Sequence, residues 1–150
     1  MDLPYHCQRD AVGREVQAVY VSCIVQVRFP RVRNALDMGM GYGALVKKLR
    51  SAGIRAYCVD VRSLADQGLV IADARFLPFA SETFDLVTDI HMTSDMQLLQ
   101  KLSRSEYQRP ADEAFRVLKK GGVFMHIGQG GIEFPGEIIW DSGYERFYTK

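Results

Sequence analysis

The sequence predicts one α/β domain: a doubly wound, mostly parallel sheet of about six strands with helices on both faces. Three observations predict it. Short apolar runs alternate with segments of helical periodicity along the whole chain. The first apolar run leads straight into a glycine-rich stretch, "LDMGMGYGALVKKL" at residues 36–49, where such a sheet opens its ligand crevice. The composition, 47% hydrophobic and 25% charged over 150 residues, suits a domain large enough to bury a core. Strands alternating with helices pair in parallel and are covered on both faces.

The elements follow in order. Val12, Val16, Val19, Tyr20, Cys23 and Val27 recur at helical spacing, and Pro30 ends that helix. Residues 35–38 read as a buried strand running into the glycines. Residues 44–49 are helical, stopped near Gly53. Residues 54–59 form a second strand ending in Asp60, residues 70–72 a third and residues 84–90 a fourth. Pro110 suits the first turn of a helix through Lys120, with Gly121 and Gly122 as its stop. Residues 123–127 are a fifth strand. A short helix near residues 136–142 and a strand at 144–148 finish the chain. No repeat or linker divides it. Residues 1–150 are one domain: an N-terminal helix in 1–30, a core at 35–127 that carries the glycine-rich stretch, and a short segment at 128–150.

Charge and cysteine usage narrow the function. The net charge of +1 offers no bulk argument for nucleic acid. It is uneven, with nine Lys/Arg against four Asp/Glu in residues 1–55 and ten against fourteen in the rest. Cys7, Cys23 and Cys58 lie far apart with no C-x-x-C, which argues against a zinc site or disulfide framework and for a reduced, cytoplasmic setting. No apolar run approaches the roughly 20 residues of a membrane span, and no charged-then-apolar leader opens the sequence.

Gly39, Gly41 and Gly43 permit positive φ and let a ligand approach the backbone closely. The segment fits the dinucleotide pattern G-x-G-x-x-A through Gly39, Gly41 and Ala44. It is not a P-loop, because no Gly-Lys-Ser/Thr follows. Asp60, 21 residues beyond Gly39, can accept hydrogen bonds from both hydroxyls of a ribose. Asp37 sits in an otherwise apolar strand. A partly buried carboxylate there favours a ligand carrying ammonium and sulfonium charges over a pyrophosphate.

With "ADARFLPFASETFDLV" at 72–87 and "EAFRVLKKGGVFM" at 113–125, the chain resembles the class I S-adenosylmethionine-dependent methyltransferases, and more narrowly their small-molecule branch. The L-D-x-G-x-G-x-G loop, D-A-x-x-L-P-F, F-D-L-V and R-V-L-K-x-G-G occur in that order across residues 35–127. The resemblance implies a Rossmann-like fold and S-adenosylmethionine as cofactor. It implies that Asp37, Gly39 and Gly41 line the methionine end and that Gly43 completes the turn. Asp60 would hold the ribose and Val61 would lie against the adenine. Asp73 would accept the adenine amino group, and the Ala74 amide would reach a ring nitrogen. Thr88 and Asp89 would border the reactive end. Phe76, Leu77, Pro78 and Phe79 read as core and turn residues.

Methyl transfer needs a base only where the nucleophile must lose a proton. His91 is the first candidate and His126 the second, both near strand ends, with Asp89 beside them. Tyr5, His6 and Cys7 precede the first helix, where a segment can fold over the cofactor. Neither N-P-P-Y nor D-P-P-Y follows strand four, so amino methylation of adenine or glutamine lacks its signature.

Four departures from the family pattern bear on the acceptor. The helix between strands two and three shrinks to about one turn. Ser94 and Asp95 stand where the family often has a histidine pair. An added stretch at residues 93–109 leaves the sheet on the ligand side as a lid or acceptor wall. The family's sheet of seven strands closes with an antiparallel hairpin, and residues 144–150 supply only one strand toward it. That short edge predicts a homodimer through residues 144–148 or the aromatic surface around Trp140, with Tyr144, Phe147 and Tyr148 as candidates. The acceptor reads as a small molecule. The alternatives are RNA or protein, for which Arg28, Arg31 and Arg33 speak, and a non-catalytic cofactor-binding module acting with a partner.

Overall fold

The computed structural model describes residues 11–39, 41, 43–62, 68–99, 102–128 and 132–150. The described residues form α1 (Ala11–Arg28), β1 (Asn34–Met38), α2 (Ala44–Ser51), β2 (Arg55–Asp60), β3 (Leu69–Ile71), β4 (Phe84–Ile90), α3 (Met92–Leu99), α4 (Arg104–Val117), β5 (Leu118–Ile127), β6 (Glu137–Asp141) and β7 (Glu145–Thr149). The strands make one sheet in the order β3-β2-β1-β4-β5-β7-β6. The first five pair in parallel, and β7 runs antiparallel between β5 and β6. Strand order reverses beside β1, so a crevice opens at the carboxyl ends of β1 and β4.

Side chains alternate across the sheet, and each set has its own cover. On one face α1 and α2 bring Val21, Val25, Val46 and Leu49 against Ala35, Cys58, Leu86 and Met125. On the other, α4 brings Ala114, Phe115 and Val117 against Leu36, Val87, Phe124 and Tyr148. Full burial of one such aliphatic side chain contributes about 1.5–3 kcal/mol.

Several expectations change. α1 is where periodicity puts it, but its other stripe faces inward. Ala18, Val21, Ser22 and Val25 are buried, while Val16, Val19, Tyr20, Cys23 and Val27 are exposed. The buried stripe has the smaller residues and lets α1 lie close to α2 and the sheet. α4 begins six residues before Pro110. Ser103 and Glu106 form a capping box there, and Pro110 sits buried inside the helix. Lys119–Gly122 belong to β5 as an irregularity between the pairs Phe84–Leu118 and Leu86–Val123, so Gly121 and Gly122 stop no helix.

The sheet has seven strands, not six, because residues 137–141 pair with β7 instead of coiling. This hairpin closes the sheet and removes the premise of a missing strand. β7 is internal, and its Phe147 and Tyr148 pack inward, so residues 144–148 offer no free edge. Trp140 lies on the edge strand β6, with the Arg28 guanidinium 5.0 Å from its ring centroid.

Parallel strands usually need a helical crossover. Between β5 and β6 the described residues 132–136 form no helix, and Phe134 packs there against the sheet. The Phe134 ring lies 4.9 Å from Phe124, 4.8 Å from His126 and 5.1 Å from Tyr148, centroid to centroid. Gly136 then threads between α4 and β7. A Cβ there would be 2.5 Å from Phe115 Cε1 and 2.8 Å from the Thr149 carbonyl oxygen. The expected short turn after Asp60 falls on residues 63–67, and Tyr5, His6 and Cys7 on the N-terminus; both lie outside the described residues.

Candidate cofactor crevice and active site

β1 delivers its glycines to the crevice with positive φ: 80° at Gly39, 57° at Gly41 and 72° at Gly43. The Gly39 amide donates to the Val59 carbonyl at 2.8 Å, tying the loop to β2. A Cβ on Gly39 would meet Met92 Cβ at 2.7 Å, so this glycine lets α3 settle on the loop as well as keeping the loop narrow. At Gly41 the same construction comes 3.0 Å from Nη1 of Arg14. Gly43 caps α2 with no side-chain bond to its first amides among the described residues.

Three carboxylates converge at the strand ends. Asp37 is 5% exposed, and Thr88 Oγ1 donates to its Oδ1 at 2.6 Å. Its other oxygen accepts no hydrogen bond among the described residues. Burial pushes the carboxyl up; the Thr88 bond opposes this, Asp89 and Asp60 add to it, and the pKa stands at about 7. Thr88 is therefore the buried support of Asp37 and does not itself face the crevice. Asp60 is clasped by Arg62: Nε to Oδ1 and Nη2 to Oδ2 are both 3.0 Å, and the Arg62 amide reaches Oδ1 at 2.9 Å. Burial acts to raise this carboxyl, but the Arg62 bonds and the Gly41 amide outweigh it and hold it below the usual range.

The same device recurs at Asp73. Arg75 donates from Nε and Nη2 to both oxygens, at 3.0 and 2.6 Å, and its amide adds a bond at 2.8 Å. Those bonds lower the Asp73 carboxyl. Ala74 is buried beside it, while Val61 is 67% exposed, an apolar surface open to a flat ring.

Asp89 and His126 occupy one rung across β4 and β5. Both are buried on the α4 face, with His126 Nδ1 3.2 Å from Asp89 Oδ2. Thr93, in the first turn of α3, holds the carboxylate from above: Oγ1 donates to Oδ2 at 2.5 Å and the amide to Oδ1 at 3.2 Å. His91 lies apart, in a left-handed conformation (φ 66°), with its ring nitrogens 3.3 and 3.4 Å from the Tyr144 hydroxyl. Asp89 thus partners His126, not His91.

The stretch at 93–109 includes most of α3 and the start of α4, and α3 sits beside the strand ends with Met92 against Gly39 and Thr93 on Asp89. Sequence reasoning missed Arg14, Arg62, Arg75 and Thr93. The repeated Asp-x-Arg of Asp60–Arg62 and Asp73–Arg75 was a visible signal for two of them. Arg28 and Arg31 line a cleft of about 380 Å³ with Lys119 and Lys120 at the opposite, amino end of the sheet, away from this crevice.

Fold and site define a doubly wound α/β domain with a positive-φ glycine loop and carboxylates at the carboxyl ends of its parallel strands. The chain belongs to a methyltransferase family: the model described as "Methyltransferase domain" matches residues 36–126. No curated protein matches it. Among solved structures it is similar to CalS10, an amino pentose methyltransferase from Micromonospora echinaspora, at TM-score 0.65 and 17% identity over 95% of this chain and 67% of that one. It is similar to the 1,6-didemethyltoxoflavin-N1-methyltransferase of Burkholderia thailandensis at 0.64 and 19%, over 97% and 66%. It is also similar to the [4+2]-cyclase SpnF at 0.57 and 21%, over 75% and 46%. The chain therefore spans about half to two thirds of the length of these relatives. No helix among the described residues is long and apolar enough to cross a membrane.

Proposed function

We propose that this domain binds S-adenosylmethionine and transfers its methyl group to a small-molecule acceptor. The observation that carries the reading is Asp37, a buried carboxyl with an unpartnered oxygen among the described residues, in the field of Asp60 and Asp89. Such a group calls for a cation, and the ammonium and sulfonium of this cofactor supply one; the phosphates of a dinucleotide would be repelled. CalS10 with S-adenosylmethionine and the toxoflavin enzyme with S-adenosylhomocysteine are relatives that hold these molecules.

In this reading Asp37 faces the charged methionine end, and the loop of Gly39, Gly41 and Gly43 passes beneath it. Asp60 takes the ribose hydroxyls, Val61 covers the adenine, and Asp73 with the Ala74 amide reads its edge. The cofactor supplies a methyl carbon already activated by the sulfonium; the chain binds, orients and excludes water. An RNA acceptor rests on Arg28, Arg31 and Arg33, of which Arg28 and Arg31 line a separate cleft at the amino end of the sheet. A different chemistry on the same fold remains the second reading, favoured by the likeness to a [4+2]-cyclase.

Titration calorimetry tests the assignment. We expect binding of S-adenosylhomocysteine, none of NAD, and a loss of roughly 1.5–3 kcal/mol in Asp60→Ala as charge-assisted bonds to the ribose disappear. Tight NAD binding, or unchanged affinity in the variant, rejects it. Binding with no labelled methyl transfer to any acceptor favours the second reading.

A further inference from the structure

His126 raises a question that cofactor binding does not answer. Its ring is almost wholly buried, Nδ1 is engaged by Asp89, and Nε2 has no hydrogen-bond partner among the described residues. A buried polar atom left unsatisfied costs about 1–3 kcal/mol, so a native structure that keeps one has a use for it. The surroundings are built with care. Asp89 is itself fixed by two bonds from Thr93, and Phe134 packs on the imidazole face. Beside Nε2 stands Gly128, where a Cβ would come 3.6 Å from that nitrogen and 2.5 Å from Ser94 Oγ, so only glycine fits between the imidazole and Ser94.

A carboxylate on Nδ1 selects the tautomer with its proton there and leaves the lone pair on Nε2. Met38, Asp89 and His126 share one rung of the sheet, directly before the loop at Gly39. Two strand spacings, on the order of 10 Å, separate His126 from the start of that loop. This is the reach of a methionine tail plus an acceptor.

We infer that His126 is the general base of the transfer, with Asp89 and Thr93 as positioning residues, and that the acceptor is a hydroxyl compound. The inference rests on the methyltransferase reading above. A neutral amine attacks without help and sheds its proton afterwards, whereas a hydroxyl gains nucleophilicity only as its proton leaves. The acceptor oxygen forms the new C–O bond while the C–S bond breaks and its electron pair stays on the sulfur of S-adenosylhomocysteine. The hydroxyl proton passes to Nε2, and Asp89 stabilises the resulting imidazolium.

The test combines spectroscopy with acceptor choice. In the S-adenosylhomocysteine complex, imidazole ¹⁵N shifts are expected to show the proton on Nδ1 of His126 and a lone pair on Nε2, and Asp89→Asn to shift that balance. Labelled methyl groups from S-adenosylmethionine, offered to matched panels of phenols and alcohols against anilines and alkylamines, should appear in methyl ethers. His126→Gln should lower that rate by about 10²–10⁴-fold and abolish the acidic limb of its pH profile, while S-adenosylhomocysteine binding persists. An Nε2–H tautomer in the wild-type complex overturns the inference, as does label confined to amines or absent from both panels. Failure of S-adenosylhomocysteine to bind the wild-type protein strikes the cofactor reading instead.

Discussion

Arg62 grips Asp60 through both carboxylate oxygens at 3.0 Å, in the position where a ribose would be held. The arginine is largely exposed while the acid it grips is buried, so solvent screens the pair from the guanidinium side. A ligand must displace it. Arg62→Ala should therefore tighten S-adenosylhomocysteine binding, by the roughly 0.2–1 kcal/mol that such a pair is worth. Calorimetry on the two proteins reads this directly. Weaker binding in the variant would mean that Arg62 touches the ligand.

Asp37 predicts a pH dependence with a definite sign. Its carboxyl stands at about 7 in the fold against an ordinary value of 3.8. The folded protein therefore holds a proton there that the unfolded chain has released. Its stabilising contribution is full below 3.8 and is lost as pH rises through about 7. A cationic ligand favours the ionised form, so cofactor binding should expel a proton and strengthen between pH 6 and 8. Calorimetry in buffers of different ionisation enthalpy measures the proton count. Asp37→Asn should remove the release, weaken binding and make the free protein more stable at pH 8. A wild-type affinity flat with pH contradicts the cation argument.

Phe134 precedes β6 and packs on the rings of Phe124 and His126. It is only partly buried, so Phe134→Ala should cost near the lower end of the roughly 3–5 kcal/mol typical of phenylalanine truncation. Urea denaturation gives the value. The same variant should alter the His126 imidazole resonances. A neutral change in stability would show that this packing contributes nothing.

β6 leaves Ile138, Ile139 and Trp140 exposed at the sheet edge, with no further strand beside it among the described residues. Such edges promote pairing with a second chain. We expect concentration-dependent self-association through β6, abolished by Ile139→Lys without loss of helical or strand signal. Light scattering that returns the 17.0 kDa monomer at every concentration rejects it.

What the sequence determined by itself was local. Glycine alone tolerates the left-handed backbone of the loop after β1, and carboxylates at the ends of apolar runs must lie at strand tips, so Asp37, Gly39, Gly41, Asp60 and Asp73 were legible without coordinates. Tertiary structure decided whatever depended on a distant partner. α1 carries two apolar stripes, and only packing against α2 chose the one with Ala18 and Val21. Residues 137–141 are β-branched and aromatic enough for a strand, but only β7 alongside makes them one. Asp89 sits among histidines near in sequence and far from it; the register between β4 and β5 gave it His126, 37 residues away, and left His91 to Tyr144. Periodicity records which face of an element is apolar, but only the assembled sheet sets which residues share a rung.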